Sequence, residues 1–187
     1  VRGGSAGAKE EAAAALDCLA DNDANIVAIA EAGAIAPLVE LVRGGSAGAK
    51  NAAAGALHTL SVENDTNVAA IAAAGGITPL IELVRGGNVD ARRAAAAALS
   101  CLAFNNDANK VAIADAGGIA PLVELLRRGS AEARGSAAAA LECLACNNDA
   151  NQVAIGLAGA IAPMVELLRG GSERAKSDAA GTLRSLA

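Results

Sequence analysis

The four prolines of this 187-residue chain stand at Pro37, Pro79, Pro121 and Pro163, each 42 residues after the last. A fixed period of that length means a tandem array, and periods of about 40–47 residues belong to helical solenoids. Around each proline one sentence recurs: NIVAIAEAGAIAPLVELVRGG from Asn25, NVAAIAAAGGITPLIELVRGG from Asn67, NKVAIADAGGIAPLVELLRRG from Asn109 and NQVAIGLAGAIAPMVELLRGG from Asn151.

Each copy reads as three helices. Asp23, Asp65, Asp107 and Asp149 precede short apolar stretches (Ile26, Ile29 and Ala30; Val111, Ile113 and Ala114), as an N-cap or first-turn acid does. Gly33, Gly75, Gly117 and Gly159 end those stretches, where a helix stop favours positive φ. A second helix then starts near Ile35 and its equivalents, with Pro37 in the first turn, where the missing N–H is harmless. It stops at Gly44 and Gly45. Ser46, Asn88, Ser130 and Ser172 are placed to cap an Ala-rich third helix carrying Leu57 and Leu60, Leu99 and Leu102, Leu141 and Leu144, Leu183 and Leu186 at i, i+3 spacing. Thirteen helices are expected, the third helices covering roughly 5–20, 47–61, 89–103, 131–145 and 173–187, to within about two residues.

Register divides the chain into a partial repeat, 1–20, and four full repeats, 21–61, 62–103, 104–145 and 146–187, together one solenoid of residues 1–187. Neither end carries the polar-faced unit that closes such a stack, so the expectation is a segment of a longer array with a tendency to associate head-to-tail through its uncapped ends. One step differs. Leu16 to Leu57 is 41 residues, because the position of Val62, Phe104 and Cys146 is missing in the first copy, which shortens a surface turn.

Composition excludes several functions. With no Trp or Tyr and a single Phe104, no stacking platform for bases can be built, and a net charge of −5 opposes a phosphate-backbone footprint. Nucleic acid is therefore not an expected partner. The longest apolar run, Ala94 to Phe104 broken by Ser100, falls short of a membrane span, and nothing at the start reads as a signal peptide, though a chain beginning mid-repeat would not show one. The RGG triplets at Arg2, Arg43, Arg85 and Arg169 fall at one point of the repeat, where a helix ends with a cation in its last turn and glycine beyond. They read as helix stops. The Ala-Gly-Gly sequences at Ala74 and Ala116 are turns, and no phosphate loop exists.

Chemistry-bearing residues form no reactive constellation. Cys18, Cys101 and Cys143 share one position of the third helix, and neighbouring helices about 10 Å apart hold Cys101 and Cys143 beyond disulfide reach. Cys143 and Cys146 share a helical face, yet the only histidine, His58, lies two repeats away and four ligands cannot be assembled. No metal or other cofactor is expected. Reduced thiols fit an intracellular setting, cytoplasmic with the nucleus left open. His58 recurs as Asp17, Ser100, Glu142 and Arg184, a position too varied for a reaction centre, so no catalytic residue is assigned and no enzyme activity is expected. Glu40, Glu82, Glu124 and Glu166 each stand three residues before an arginine and are explained by helical pairing.

The recurring pattern N-x-x-x-I-x-x-A-G-x-I-x-P-L-[VI]-E-L-[LV]-R-x-G, followed by an Ala-rich segment ending A-L-x-x-L, resembles the armadillo repeat over the whole chain, most nearly the arrays of plant and protist U-box proteins. That resemblance implies an all-α, right-handed armadillo-type α-solenoid whose third helices line a concave groove for extended peptides or other proteins. Importin-α-like members carry a Trp and, four residues later, an Asn on each third helix. Here the Trp position holds Ala14, Gly55, Ala97, Ala139 and Gly181, and the Asn position Cys18, Thr59, Cys101, Cys143 and Ser185. Both ladders are missing, which argues against nuclear-localisation peptides. A floor of Ala and Gly is roomy and apolar, suited to a helix or to a partner's side chains, although small residues also let third helices approach closely.

Two functions follow. The first is a protein-interaction scaffold binding a partner protein on the concave face through Asn51, His58, Thr59, Arg93, Ala97, Cys101, Phe104, Ala139, Glu142, Cys143 and Ser185. The alternative is a structural component of a larger assembly that uses its ends or convex face.

Overall fold

The computed structural model describes residues 4–187, so the Arg2 triplet lies outside the described residues. Among these residues the chain is all-helical, with thirteen α-helices and no strand. The opening helix is α1 (Ala6–Leu19). Four triplets follow: α2 (Asp23–Glu31), α3 (Ile35–Gly44) and α4 (Ala47–Ser61); α5 (Asp65–Ala73), α6 (Ile77–Gly86) and α7 (Val89–Ala103); α8 (Asp107–Asp115), α9 (Ile119–Arg128) and α10 (Ala131–Ala145); α11 (Asp149–Leu157), α12 (Ile161–Gly170) and α13 (Glu173–Ser185).

Local chemistry sets the boundaries. Gly75, at φ +72°, closes α5, and the Gly76 N–H reaches back to the Ile71 carbonyl at 2.9 Å. That is the helix stop in which a left-handed residue frees the following amide to satisfy an orphaned carbonyl. The chain then turns sharply, by 83° between α5 and α6. At the far end of α6 the reason for glycine is different. Gly87 has φ −73°, open to any residue, but a methyl there would lie 2.6 Å from the Leu83 carbonyl oxygen. Gly86 meets nothing within 4 Å, and its counterpart in α9 is Arg128. Close approach, rather than positive φ, therefore fixes the second glycine of the RGG turn.

Capping decides between the two roles open to the aspartates, in favour of the first turn. The N-caps of α5, α8 and α11 are Asn64, Asn106 and Asn148, and Asp65, Asp107 and Asp149 occupy the first turn, where a carboxylate complements the helix dipole. The same assignment for the side chain of Asp23 lies outside the described residues. Ser46, Asn88, Ser130 and Ser172 cap the third helices as expected, each accepting an N–H three residues on. In the three full-length junctions Glu63, Asn105 and Asn147 take positive φ, whereas the junction after α1 leaves through Ala20 in right-handed geometry. The missing residue thus removes a left-handed step from a surface turn.

Third helices pack on third helices, α1 on α4 and onward to α13, and α3, α6, α9 and α12 back α4, α7, α10 and α13 respectively. Ala53, Ala54, Ala56 and their equivalents in α7 and α10 are buried in this seam together with Leu57, Leu99 and Leu141. Alanine there allows close helix approach, and each buried leucine contributes roughly 1.5–3 kcal/mol of transfer free energy. Ile113 is buried, but Val111 on the same short helix faces solvent.

Two polar devices lock the stack. Asn67, Asn109 and Asn151, all buried, donate through Nδ2 to the carbonyls of Leu60, Leu102 and Leu144, tying each first helix to the preceding third helix. Arg85 reaches the Gly117 carbonyl at 3.2 Å and Arg127 the Ala158 carbonyl at 2.9 Å, each crossing into the next triplet. Both also pair with the glutamate three residues earlier, at 2.6 Å for Arg85–Glu82.

Candidate functional site on the inner face

One side of every third helix is left uncovered by the core, and there the columns of the repeat stop being constant. A hollow of about 340 Å³ is lined jointly by residues of α4, α7, α10 and α13. His58, Arg93, Ala97, Cys101 and Ala139 lie in it, five of the residues picked out by alignment. A neighbouring hollow of about 270 Å³ joins His58, Thr59 and Arg93 to Asp17 and Asp21. A third, of about 180 Å³, gathers Phe104, Glu142, Cys143 and Ser185 with Lys110 and Arg184. Asn51 lines none of the three.

Alignment with the Trp and Asn columns missed Arg174, Asp178 and Ser136, which line the central hollow. Their signal was nonetheless present. Arg174 fills a position held elsewhere by Gly7, Gly48, Asp90 and Glu132, a column as varied as that of His58.

The floor also differs from an open apolar trough. The Asp17 carboxylate lies across Gly55, where a methyl would come within 2.5 Å of Oδ2, and the Glu142 carboxylate covers Gly181 in the same way. Under His58 and Ser100 the corresponding position is Ala97 and Ala139. Glycine thus occurs where the preceding helix lays an acid over the next. Thr59 adds a hydrogen bond from Oγ1 to Asp17 Oδ1 at 2.9 Å. The expectation of a roomy apolar floor is therefore corrected: carboxylates roof two of its small residues, and charged groups wall its centre.

Electrostatics vary along the face. Burial lowers the His58 pKa, helped by Arg93 and opposed by Asp17, which favours a neutral imidazole that can donate and accept. Burial raises the Glu142 carboxyl above the usual range, and the facing Asp178 raises it further; Asp178 is itself raised by burial. The Cys101 and Cys143 thiols are pushed up by burial, and Cys143 Sγ lies 3.6 Å from the Ser100 hydroxyl. Such thiols are poor nucleophiles, since the thiolate is the reactive form. Phe104, 62% exposed, is a free aromatic edge beside Cys146.

Larger hollows, of about 880 and 600 Å³, lie at the N-terminal ends of the third helices. Residues such as Pro37, Leu41 and Gly45, or Pro79, Leu83 and Gly87, which recur from copy to copy, form much of their walls. They are furrows of the repeat itself. Among the described residues no single helix is long and apolar enough to cross a membrane.

A stack of three-helix units with a constant seam and a varied inner face defines a helical-repeat scaffold. Residues 22–62 and 64–104 match the model of the Armadillo/beta-catenin-like repeat. An engineered protein crystallised by the Northeast Structural Genomics Consortium is 30% identical, with 99% of this chain and 77% of that one aligned at a TM-score of 0.90. A computationally designed armadillo repeat protein for modular peptide recognition is 27% identical over 100% of this chain and 79% of its own, TM-score 0.89. A designed armadillo repeat protein solved with the peptide (KR)4 is 26% identical over 95% and 75%, TM-score 0.83. No curated protein matches the chain in sequence. The chain belongs to the armadillo repeat family, and its fold is the right-handed armadillo-type solenoid.

Proposed function

We propose that this chain is a protein-interaction scaffold, of the U-box-associated armadillo type, whose inner third-helix face binds a partner polypeptide. The observation that carries the reading is the contrast within one helix turn. Leu57, Leu99 and Leu141 are identical and buried, while the next residues, His58, Ser100 and Glu142, differ in every copy and line the hollows. Selection for folding alone has no use for that variety, whereas a recognition surface does. A designed relative solved with a bound peptide supports peptide recognition by this architecture. Nothing in the inner face assembles a nucleophile with an oriented base, so the proposed role is binding rather than catalysis. Hydrogen exchange with and without a captured partner tests it: protection should fall on α4, α7, α10 and α13, and protection confined to α3, α6, α9 and α12 would refute the placement.

A second reading rests on the last triplet. Ile161 is 50% exposed where Ile35 and Ile119 are 6% and 7%, and Leu168 is 36% exposed where Leu126 is fully buried. Ile77, the equivalent in the second triplet, is half-buried, so Ile161 is the most open of the four. We read this face as a seat for the α1 flank of a second copy, in head-to-tail contact. Light scattering should show concentration-dependent association that Leu168→Asp abolishes; an unchanged monomer at millimolar concentration rules it out.

A further inference from the structure

We propose that the central hollow of the inner face receives one acidic side chain, aspartate or glutamate, of the partner polypeptide between the guanidinium groups of Arg93 and Arg174. This deepens the inner-face reading and rests on it.

The two arginines come from α7 and α13, two triplets apart, and only the curvature of the stack brings them to one hollow. Among the described residues neither has a carboxylate oxygen within 4 Å or a hydrogen-bond partner. The contrast with the opposite edge is sharp. Arg43, Arg85 and Arg127 are each paired with the glutamate three residues before them, and the last two also bind carbonyls of the next triplet. Two guanidinium groups without an ion-pair partner thus stand together in a chain of net charge −5. Bringing like charges together is unfavourable, and a bound carboxylate between them relieves the repulsion while accepting forked, charge-assisted hydrogen bonds.

The rest of the lining agrees. Ser100 and Ser136 add hydroxyl donors, and a neutral His58 adds an N–H without a third positive charge. Two acids, Glu132 and Asp178, also border the hollow, and neither forms an ion pair with either arginine. Glu132 is held ionised first by its own backbone N–H and the Ser130 hydroxyl, with Arg93 the weakest influence. Asp178 faces Glu142 of the adjoining hollow and adds to the rise that burial gives its pKa, while Arg174, one turn before Asp178, partly offsets the burial-raised pKa of the Asp178 carboxyl without an oxygen coming within 4 Å. Neither reaches an arginine, so the guanidinium donors remain available to a ligand.

The polarity is opposite to that needed for the basic peptide found with the designed relative. A capped, fluorescent decapeptide of alternating Glu and Ala, compared with its Lys–Ala counterpart by anisotropy at low salt, tests the inference. The acidic peptide should bind at least about tenfold more tightly, and Arg93→Gln and Arg174→Gln should each weaken it about tenfold, the factor expected for one charged hydrogen bond. Both variants leave the buried seam intact, and circular dichroism verifies that they fold. The arginine Nε–H resonances of the unaltered protein should shift on titration with the acidic peptide. If the lysine peptide binds as tightly and perturbs inner-face amides, the anionic subsite is wrong and the inner-face reading survives. If the acidic peptide perturbs only amides outside α4, α7, α10 and α13, or binds the glutamine variants equally well, the subsite is wrong; in the first of these cases the inner-face reading falls with it.

Discussion

Leu99 and Ser100 are neighbours in sequence and opposites in function. The first is one of a column of identical leucines, 1% exposed, on α7, which packs against both α4 and α10. The second belongs to a column that reads Asp17, His58, Ser100, Glu142 and Arg184 and opens into the inner face. A rotation of about 100° around one helix separates a position that admits one residue type from a position that admits five. The difference teaches where each kind of information sits: repetition encodes the fold, and departure from repetition encodes recognition.

Breaking the constant column should have the largest consequence. Leu99→Ala removes a buried side chain from the core and should lower stability by about 2–5 kcal/mol in urea titrations, loosening adjacent triplets because stability in a stack is nearest-neighbour. A change below about 0.5 kcal/mol would mean that this leucine is not in the seam.

Next in size is a paired test inside one RGG turn. Gly87→Ala forces a methyl against the Leu83 carbonyl oxygen, 2.6 Å away, and should destabilise by about 1–3 kcal/mol. Gly86→Ala, with open space around it, should instead stabilise by about 0.5–1 kcal/mol through helix propensity. Thermal melts with the two shifts in the same direction would contradict the assignment of close approach to the second glycine alone.

Smaller still is the pH effect in the varied column. Because the folded pKa of Glu142 is raised, chiefly by burial and then by Asp178, protonation favours the fold. Its contribution is complete below the unfolded value of about 4.3 and is lost as pH rises through the folded value. Glu142→Gln should therefore be more stable than the parent at neutral pH, by ~0.5 kcal/mol or less given solvent screening, with the gap closing toward pH 4. A gap that widens on acidification would reverse the sign of the account.

The sequence made the repetitive part legible because periodicity repeats its own evidence. Three of the five third helices were read to the residue, 47–61, 89–103 and 131–145, since serine or asparagine caps and leucine pairs recur at one register. The asparagine opening each copy was visible as a motif, but its bond to a carbonyl seven residues earlier, as in Asn109 to Leu102, requires the folded turn. The cross-triplet reach of Arg127 was hidden for the same reason: its glutamate partner is local in sequence, and the Ala158 carbonyl is not. Least legible was the central hollow. Arg93 was singled out, but its facing partner Arg174 lies two repeats on, and only superhelical curvature relates them.

The most direct test of the central claim is the unfolding free energy of a single variant carrying Asp17→Ala, His58→Ala, Ser100→Ala and Glu142→Ala. If that column encodes recognition and not folding, urea denaturation should place it within about 1 kcal/mol of the parent, as for substitutions away from the core. A loss as large as that of Leu99→Ala would show that the varied column holds the solenoid together and that the division between seam and inner face is false.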